Sequence, residues 1–223
     1  MRQLNIGICG LGTVGSGVLS VLQNNADIIR EKSSCLIHVT HVATRNTNHG
    51  CNVENIQFSN DIFEVARDSD IDLVVELIGG TSSALELIML AISNGKHVVT
   101  ANKALIAEHG TSILQAAYEA NVIVAFEASV AGGIPILKSI REGLVANKIN
   151  WLAGIINGTT NFILSEMSSK GRSFESVLEE AQKRGYAEAD PTFDIEGIDA
   201  PQKPSIPTSM RFGMPLPLDH LFT

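Results

Sequence analysis

Apolar positions along this chain alternate between two rhythms. Residues 4–9 form a short apolar run that predicts a buried strand. Val14, Val18, Val21 and Leu22 then recur at helical spacing as far as Asn24 and Asn25. Residues 36–43 predict a second strand. Residues 71–78 are apolar except for Asp72 and Glu76, the mark of a central parallel strand covered on both faces. Leu85, Ile88, Met89 and Ile92 predict the next helix, with Gly95 as its stop. A strand at 97–101, a helix at 105–120 and a strand at 122–126 continue the alternation. Strands separated by helices at this spacing predict βαβ units, hence an α/β fold with a doubly wound parallel sheet.

The rhythm changes after Gly132 and Gly133. Residues 134–145 predict a helix and residues 150–156 a strand, followed by a polar turn at 157–161. Phe174, Val177, Leu178 and Ala181 fall at i, i+3, i+4 and i+7, a helix that Ser173 caps and Gly185 closes. A boundary near residue 130 follows, with one domain over 1–130 and a second over 131–223. The last 23 residues hold five of the seven prolines: Pro201, Pro204, Pro207, Pro215 and Pro217.

Gly10-Leu11-Gly12-Thr13-Val14-Gly15 lies between the first strand and the first helix. There the first glycine permits a tight turn, the second lets a pyrophosphate approach the backbone, and the third lets helix and strand pack closely. Free N–H groups at the helix start face the phosphates. This context predicts a Rossmann-type dinucleotide site. Such folds carry an Asp or Glu at the end of the second strand for the ribose 2′-hydroxyl. Here that strand ends Val42-Ala43-Thr44-Arg45-Asn46. A guanidinium matches a 2′-phosphate by charge and fork geometry, so NADP is favoured over NAD, unless Arg45 is a solvated loop residue. Lys103, after Thr100-Ala101-Asn102, follows the carboxyl end of a strand, where open α/β sheets bind ligands. A plain surface lysine is the other reading.

Composition narrows the partners. With 44% apolar residues in 223, the chain can build a packed core, which excludes global disorder. A net charge of −8 without any basic run argues against nucleic acid and anionic membranes. No apolar run nears the ~20 residues that span a bilayer, and no signal sequence precedes the first strand, so a cytoplasmic location is expected. Cys9, Cys35 and Cys51 form no metal or disulfide pattern and read as reduced thiols.

Between Ala181 and Lys203 lie Glu188, Asp190, Asp194, Glu196 and Asp199. An acidic cluster can bind an ammonium group, and a lysine beside carboxylates can serve in proton transfer. Asp199 and Lys203 are four apart and would share one face of a helix. Taken singly, each is equally an ordinary surface ion pair. As a run, Ala181-x3-Gly185-Tyr186-Ala187-x2-Asp190-Pro191-x2-Asp194-Ile195-x-Gly197-x-Asp199-x3-Lys203 resembles the signature of homoserine dehydrogenase. Residues 154–164, Thr100 to Lys103 and residues 127–135 resemble that family too. The resemblance holds in register from residue 4 to about 200 and resumes from about Phe212.

The resemblance implies an oxidoreductase that interconverts L-aspartate 4-semialdehyde and L-homoserine with NAD(P)H, a step towards threonine and methionine. It implies that Lys203 gives the proton to the aldehyde oxygen. Glu188 and Asp199 hold the substrate, with Asp194 in the same acidic site. Lys103 belongs to the cofactor and catalytic cleft, and Gly185 offers a backbone contact to the cofactor. Glu127 and the backbone carbonyls of Val130, Gly132 and Ile134 form a monovalent cation site for Na⁺ or K⁺. A homo-oligomer is expected of the family.

Set against the family, the chain stops short of the substrate domain's later strands and carries no ACT domain, so an incomplete α+β substrate domain is expected. Pro204 and Pro207 disfavour a helix through Lys203, an interior proline costing ~3 kcal/mol. The expectation is an intact nucleotide domain, a loose tail after about Asp199, uncovered apolar side chains such as Ile155, Phe162 and Leu164, and activity below that of a full-length member. The alternative is a non-catalytic NADP-binding remnant or fragment of this enzyme. A dehydrogenase acting on another substrate is the third reading.

Overall fold

The computed structural model describes residues 1–45, 53–151, 153–155, 157–184 and 187. The chain divides into two compact units, Met1–Gly132 and Gly133–Thr223.

The first unit is built on β1 (Arg2–Cys9), β2 (Cys35–Ala43), β3 (Gln57–Ser59), β4 (Leu73–Glu76), β5 (His97–Thr100) and β6 (Val124–Ala125). They form one six-stranded sheet in the order β3-β2-β1-β4-β5-β6, with every neighbouring pair parallel. From β1 the chain builds outwards to β3, then crosses back to the other side of β1 with β4. The crevice between the carboxyl ends of β1 and β4 is therefore the topological switch point, where such sheets bind ligands. Helices α1 (Thr13–Asn24), α2 (Ala26–Ser33), α3 (Ile62–Arg67), α4 (Ser82–Ser93) and α5 (Lys103–Glu119) connect the strands.

Both faces of the sheet are covered. Ile6 and Ile8 of β1 pack with Leu19 of α1 and with Val42 and Val75. Gly7, between them, faces the other way, and a Cβ there would lie 2.2 Å from Val65 Cγ1 of α3. Coverage on both faces is why consecutive residues Val74 and Val75 of β4 are both buried, and why that strand reads as a continuous apolar run.

Helix rotations differ from the periodicity by one position. On α1 the buried residues are Gly15 and Leu19, with Val18 and Leu22 packed beside them, while Val14 and Val21 are exposed. Gly15 must face the Gly10 carbonyl, and that contact sets the rotation. On α4 the buried stripe is Ala84, Leu87, Ile88, Ala91 and Ile92, and Met89 is exposed. Its alanines leave room for close approach, so the small residues mark the core face. Gly95 ends α4 as expected, at φ +72. The pattern passes over α2, which buries no residue, and over β3 and α3, whose three and six residues are too short to show a period. Asp61 does cap α3, accepting from Phe63 N–H at 2.9 Å.

In the second unit the helix expected over 134–145 is broken. α6 (Ile136–Lys138) passes into a π-helical turn, Ser139–Gly143, closed by Leu144 N–H donating to Ser139 O at 2.8 Å. The described residues among 150–156 form no strand. The polar segment at 157–161 is not a free turn but the start of α7 (Gly158–Lys170). Asn157 Oδ1 accepts from Thr160 N–H at 2.8 Å, so residues poor in helix propensity act as a cap and first turn. α8 (Phe174–Lys183) forms where predicted, with Ser173 as its cap. Arg172 ties α7 to α8, reaching Glu166 at 3.3 Å and also pairing with Glu180. The Lys170 and Arg172 hydrogen bonds hold the Glu166 carboxyl below the usual range, and Arg172 does the same for Glu180. Ile155 and Leu164 are exposed, as expected, but Phe162 is half-buried, with Arg184 over its ring. The segment after Asp199, and with it the expected loose tail, lies outside the described residues. Among the described residues no helix is long and apolar enough to cross a membrane.

Candidate functional site

The loop after β1 is shaped by its glycines. Gly10 has φ +99, and its N–H donates to Ala43 O at 2.9 Å. A Cβ on Gly10 would stand 2.6 Å from Leu77 O, and one on Gly15 would stand 2.0 Å from Gly10 O. These positions admit no side chain. Gly12 is different: a Cβ there would meet nothing within 4 Å. The loop is thus closed on the protein side by Gly10 and Gly15 and open on its outer side at Gly12. Leu11 is buried and anchors it, while Thr13 and Val14 are exposed at the start of α1. No side chain caps α1 and its first turn holds no acid, so its leading N–H groups are left for an anion.

A cleft of about 570 Å³ opens here, bordered among others by Gly10, Gly12, Arg45, Asp61, Gly79 and Ser83. It brings together the glycine loop, the end of β2 and the loop after β4. Arg45 is exposed on its wall. Asp61 also borders it, but its carboxylate serves the α3 cap and lies 3.7 Å from Arg67. The bare backbone at Gly12 and the uncapped helix fit a dinucleotide pyrophosphate.

The ends of β4 and β5 carry a feature the sequence pattern marks only as an acid in an apolar strand. Glu76, the last residue of β4, is fully buried. Its Oε1 accepts from Ile78 N–H at 2.9 Å and its Oε2 from the Thr100 hydroxyl at 2.5 Å. Thr100 Oγ1 in turn accepts from Asn102 N–H at 2.9 Å. Asn102 caps α5, accepting from Leu105 N–H at 3.1 Å, and its side-chain amide donates to Gly80 O at 2.6 Å. Lys103 is the first residue of α5 and is half-buried. Cys9 stands beside Glu76 in the sheet register. Burial, with the nearby Glu76 and Asp61 charges, pushes its thiol well above the usual range, so it is an inert, protonated core group.

Other sequence-predicted residues are placed separately. Glu127 opens a 3₁₀ turn, Glu127–Ser129, and is half-buried; Val130 is buried and Gly132 exposed, all in the first unit. Ile134 belongs to the second unit and is exposed. The left-handed positions in this stretch are Ala131 (φ 48) and Gly133 (φ 81), not Gly132. Among the described residues no group of three or more His, Cys, Asp or Glu side chains converges to hold a metal ion. Gly185, Glu188, Asp194, Asp199 and Lys203 lie outside the described residues.

Comparison with known proteins bears on both units. The family described as homoserine dehydrogenase, NAD binding domain, matches residues 10–127, and the homoserine dehydrogenase family matches residues 135–223. A homoserine dehydrogenase of Pseudomonas aeruginosa is 59% identical over 223 residues, which are 100% of this chain and 51% of that protein. The crystal structure of a homoserine dehydrogenase from Thiobacillus denitrificans superposes with a TM-score of 0.92 at 54% identity, covering 98% of this chain and 51% of that one. A hyperthermophilic archaeal homoserine dehydrogenase in complex with NADPH gives a TM-score of 0.81 at 27% identity, over 96% of this chain and 71% of that one. The chain spans about half the length of the curated relatives it matches.

Proposed function

The chain belongs to the homoserine dehydrogenase family, and on that premise we propose that it binds NADPH at the β1–β4 cleft and serves the interconversion of L-aspartate 4-semialdehyde and L-homoserine, towards threonine and methionine. The observation that carries the reading is the cleft itself: a glycine loop open only at Gly12, under an uncapped helix, with Arg45 on the facing wall. Gly10, its own N–H held by Ala43 O, makes the turn that lets Leu11, Gly12, Thr13, Val14 and Gly15 turn their backbone towards the pyrophosphate. Arg45, in place of a carboxylate at the end of β2, favours a 2′-phosphate over a 2′-hydroxyl. A relative's complex with NADPH is in keeping with this.

NADPH, when bound, supplies the hydride. The chain's own residues bind, orient and protonate. Lys203 gives a proton to the aldehyde oxygen, and its charge steadies the developing alkoxide. Glu188, Asp194 and Asp199 hold the substrate's ammonium group by charge-assisted hydrogen bonds. Lys103 at the start of α5 and the Gly185 backbone complete the cofactor side. A Na⁺ or K⁺ ion at Glu127 and the carbonyls of Val130, Gly132 and Ile134, and assembly with further copies of the chain, belong to the same proposal.

The test is reduction of NADP⁺ by L-homoserine with the purified 223-residue chain. Turnover that needs both reactants and disappears in Lys203→Ala supports the reading. NADPH binding without any turnover supports a non-catalytic nucleotide-binding role instead.

A further inference from the structure

We propose that Glu76 is a positioning residue for the cofactor cleft, acting through Thr100 and Asn102 to set the loop after β4 and the start of α5 as one unit. The inference rests on the dinucleotide reading above. It starts from an oddity of β4: a carboxylate at 0% exposure, at the carboxyl end of a strand whose neighbours are apolar. A buried polar group persists only when hydrogen bonds replace its water. Both oxygens of Glu76 are so served, one by Ile78 N–H within its own loop and one by the Thr100 hydroxyl on the adjacent strand.

The chain of bonds has a direction. The Thr100 hydroxyl spends its only proton on Glu76, which turns its lone pairs towards Asn102 N–H. Asn102 then does two things at once. Its oxygen caps α5, whose first residue is Lys103, and its amide holds Gly80 O. Gly79 and Gly80 both have left-handed backbone, φ +73 and +70; Gly79 lines the cleft after Ile78, and Gly80 is the residue that follows it. A loop of two left-handed glycines does not hold one shape unaided, because glycine loses the most backbone freedom on ordering. Glu76 grips it at Ile78 and, through Thr100 and Asn102, again at Gly80. Loosening either grip lets the wall beside the glycine loop move, and affinity falls because the site must then be ordered on binding.

The test compares Thr100→Val, which keeps the shape without the hydroxyl, with Thr100→Ser, which keeps the hydroxyl. Glu76→Gln is the third variant: it still accepts from Ile78 but faces Thr100 with a donor. Two readouts are taken on the whole chain, amide hydrogen exchange without ligand and titration with NADPH and with NADH. In Thr100→Val, exchange at Asn102 and over residues 78–80 should rise about tenfold, with the rest of the sheet unchanged. Both dinucleotides should bind about tenfold more weakly, since the wall and not the phosphate contact is lost. Thr100→Ser should restore both, and Glu76→Gln should fall between. Wild-type affinity in Thr100→Val, or exchange that rises uniformly across the sheet, would overturn the proposal. Should the wild-type chain bind neither dinucleotide, the cofactor reading fails on its own account. The exchange pattern then decides the relay alone, local release sustaining it and uniform release overturning it.

Discussion

Gly12 and Gly15 belong to one motif, yet alanine at the two positions should do opposite things. At Gly15 an added Cβ would stand 2.0 Å from the Gly10 carbonyl oxygen, about 1.5 Å inside ordinary contact. The obstacle is backbone, so no rotamer change relieves it; α1 must move off β1. Overpacking of this kind costs about 3 kcal/mol at the upper end of its range. Alanine recovers about 1 kcal/mol as the better helix former, so a net loss of about 2 kcal/mol remains. For a chain of this size that lowers the melting midpoint by about 4–8 °C. At Gly12 the added Cβ meets nothing within 4 Å, and the change of cap residue costs less than about 1 kcal/mol. The methyl does fill the side where the pyrophosphate would lie, and NADPH affinity should fall about tenfold or more through lost close contact. Thermal melts by circular dichroism and fluorescence titration with NADPH separate the two effects. If Gly12→Ala melts as low as Gly15→Ala, or binds NADPH like the wild type, the division of labour argued for this loop is wrong.

Three further outcomes follow from the same geometry. Arg45→Ala should weaken NADPH by about 1–3 kcal/mol and leave NADH nearly unchanged, because only the 2′-phosphate loses a charged partner; equal losses in parallel titrations would contradict it. Replacing Na⁺ or K⁺ by a bulky organic cation at equal ionic strength should lower the melting midpoint if Glu127 and its neighbouring carbonyls hold an ion, and an unchanged midpoint would refute that site. Asp68 should contribute to acid unfolding. Burial pushes its carboxyl up, but hydrogen bonds from Asp70 N–H and His41 and the charges of His41 and Lys96 outweigh this, so it sits below its ordinary 3.8. A depressed carboxylate adds stability that is present above the unfolded value and is lost as pH falls through the folded one. Urea midpoints of the wild type should therefore drop more steeply below about pH 4 than those of Asp68→Asn, and parallel curves would count against the argument.

The strand–helix alternation of the first unit was legible because central parallel strands are buried on both faces and read as unbroken apolar runs. The glycine loop was legible because its three glycines meet three separate steric demands. Helix rotation was not. Val14 and Val21 look like core residues, but the Gly15–Gly10 contact turns α1 until Leu19 takes the interior. Small residues that permit contact carry no weight in a hydrophobic pattern. Asn157 to Asn161 read as a turn because a cap and a turn use the same residues, and only the geometry at Thr160 N–H tells them apart. Glu76 was visible as an acid in an apolar strand, but its partners, Thr100 and Asn102, lie 24 and more residues away and meet it only through the β4–β5 pairing.

The central claim is that the crevice between β1 and β4 binds a 2′-phosphorylated dinucleotide. Equilibrium titration of the folded chain with NADPH and NADH, side by side at low salt, tests it most directly. Saturable binding at one site per chain, tighter for NADPH, is the predicted result. A chain that gives the circular dichroism spectrum and cooperative melt of a folded α/β protein yet binds neither dinucleotide would contradict it.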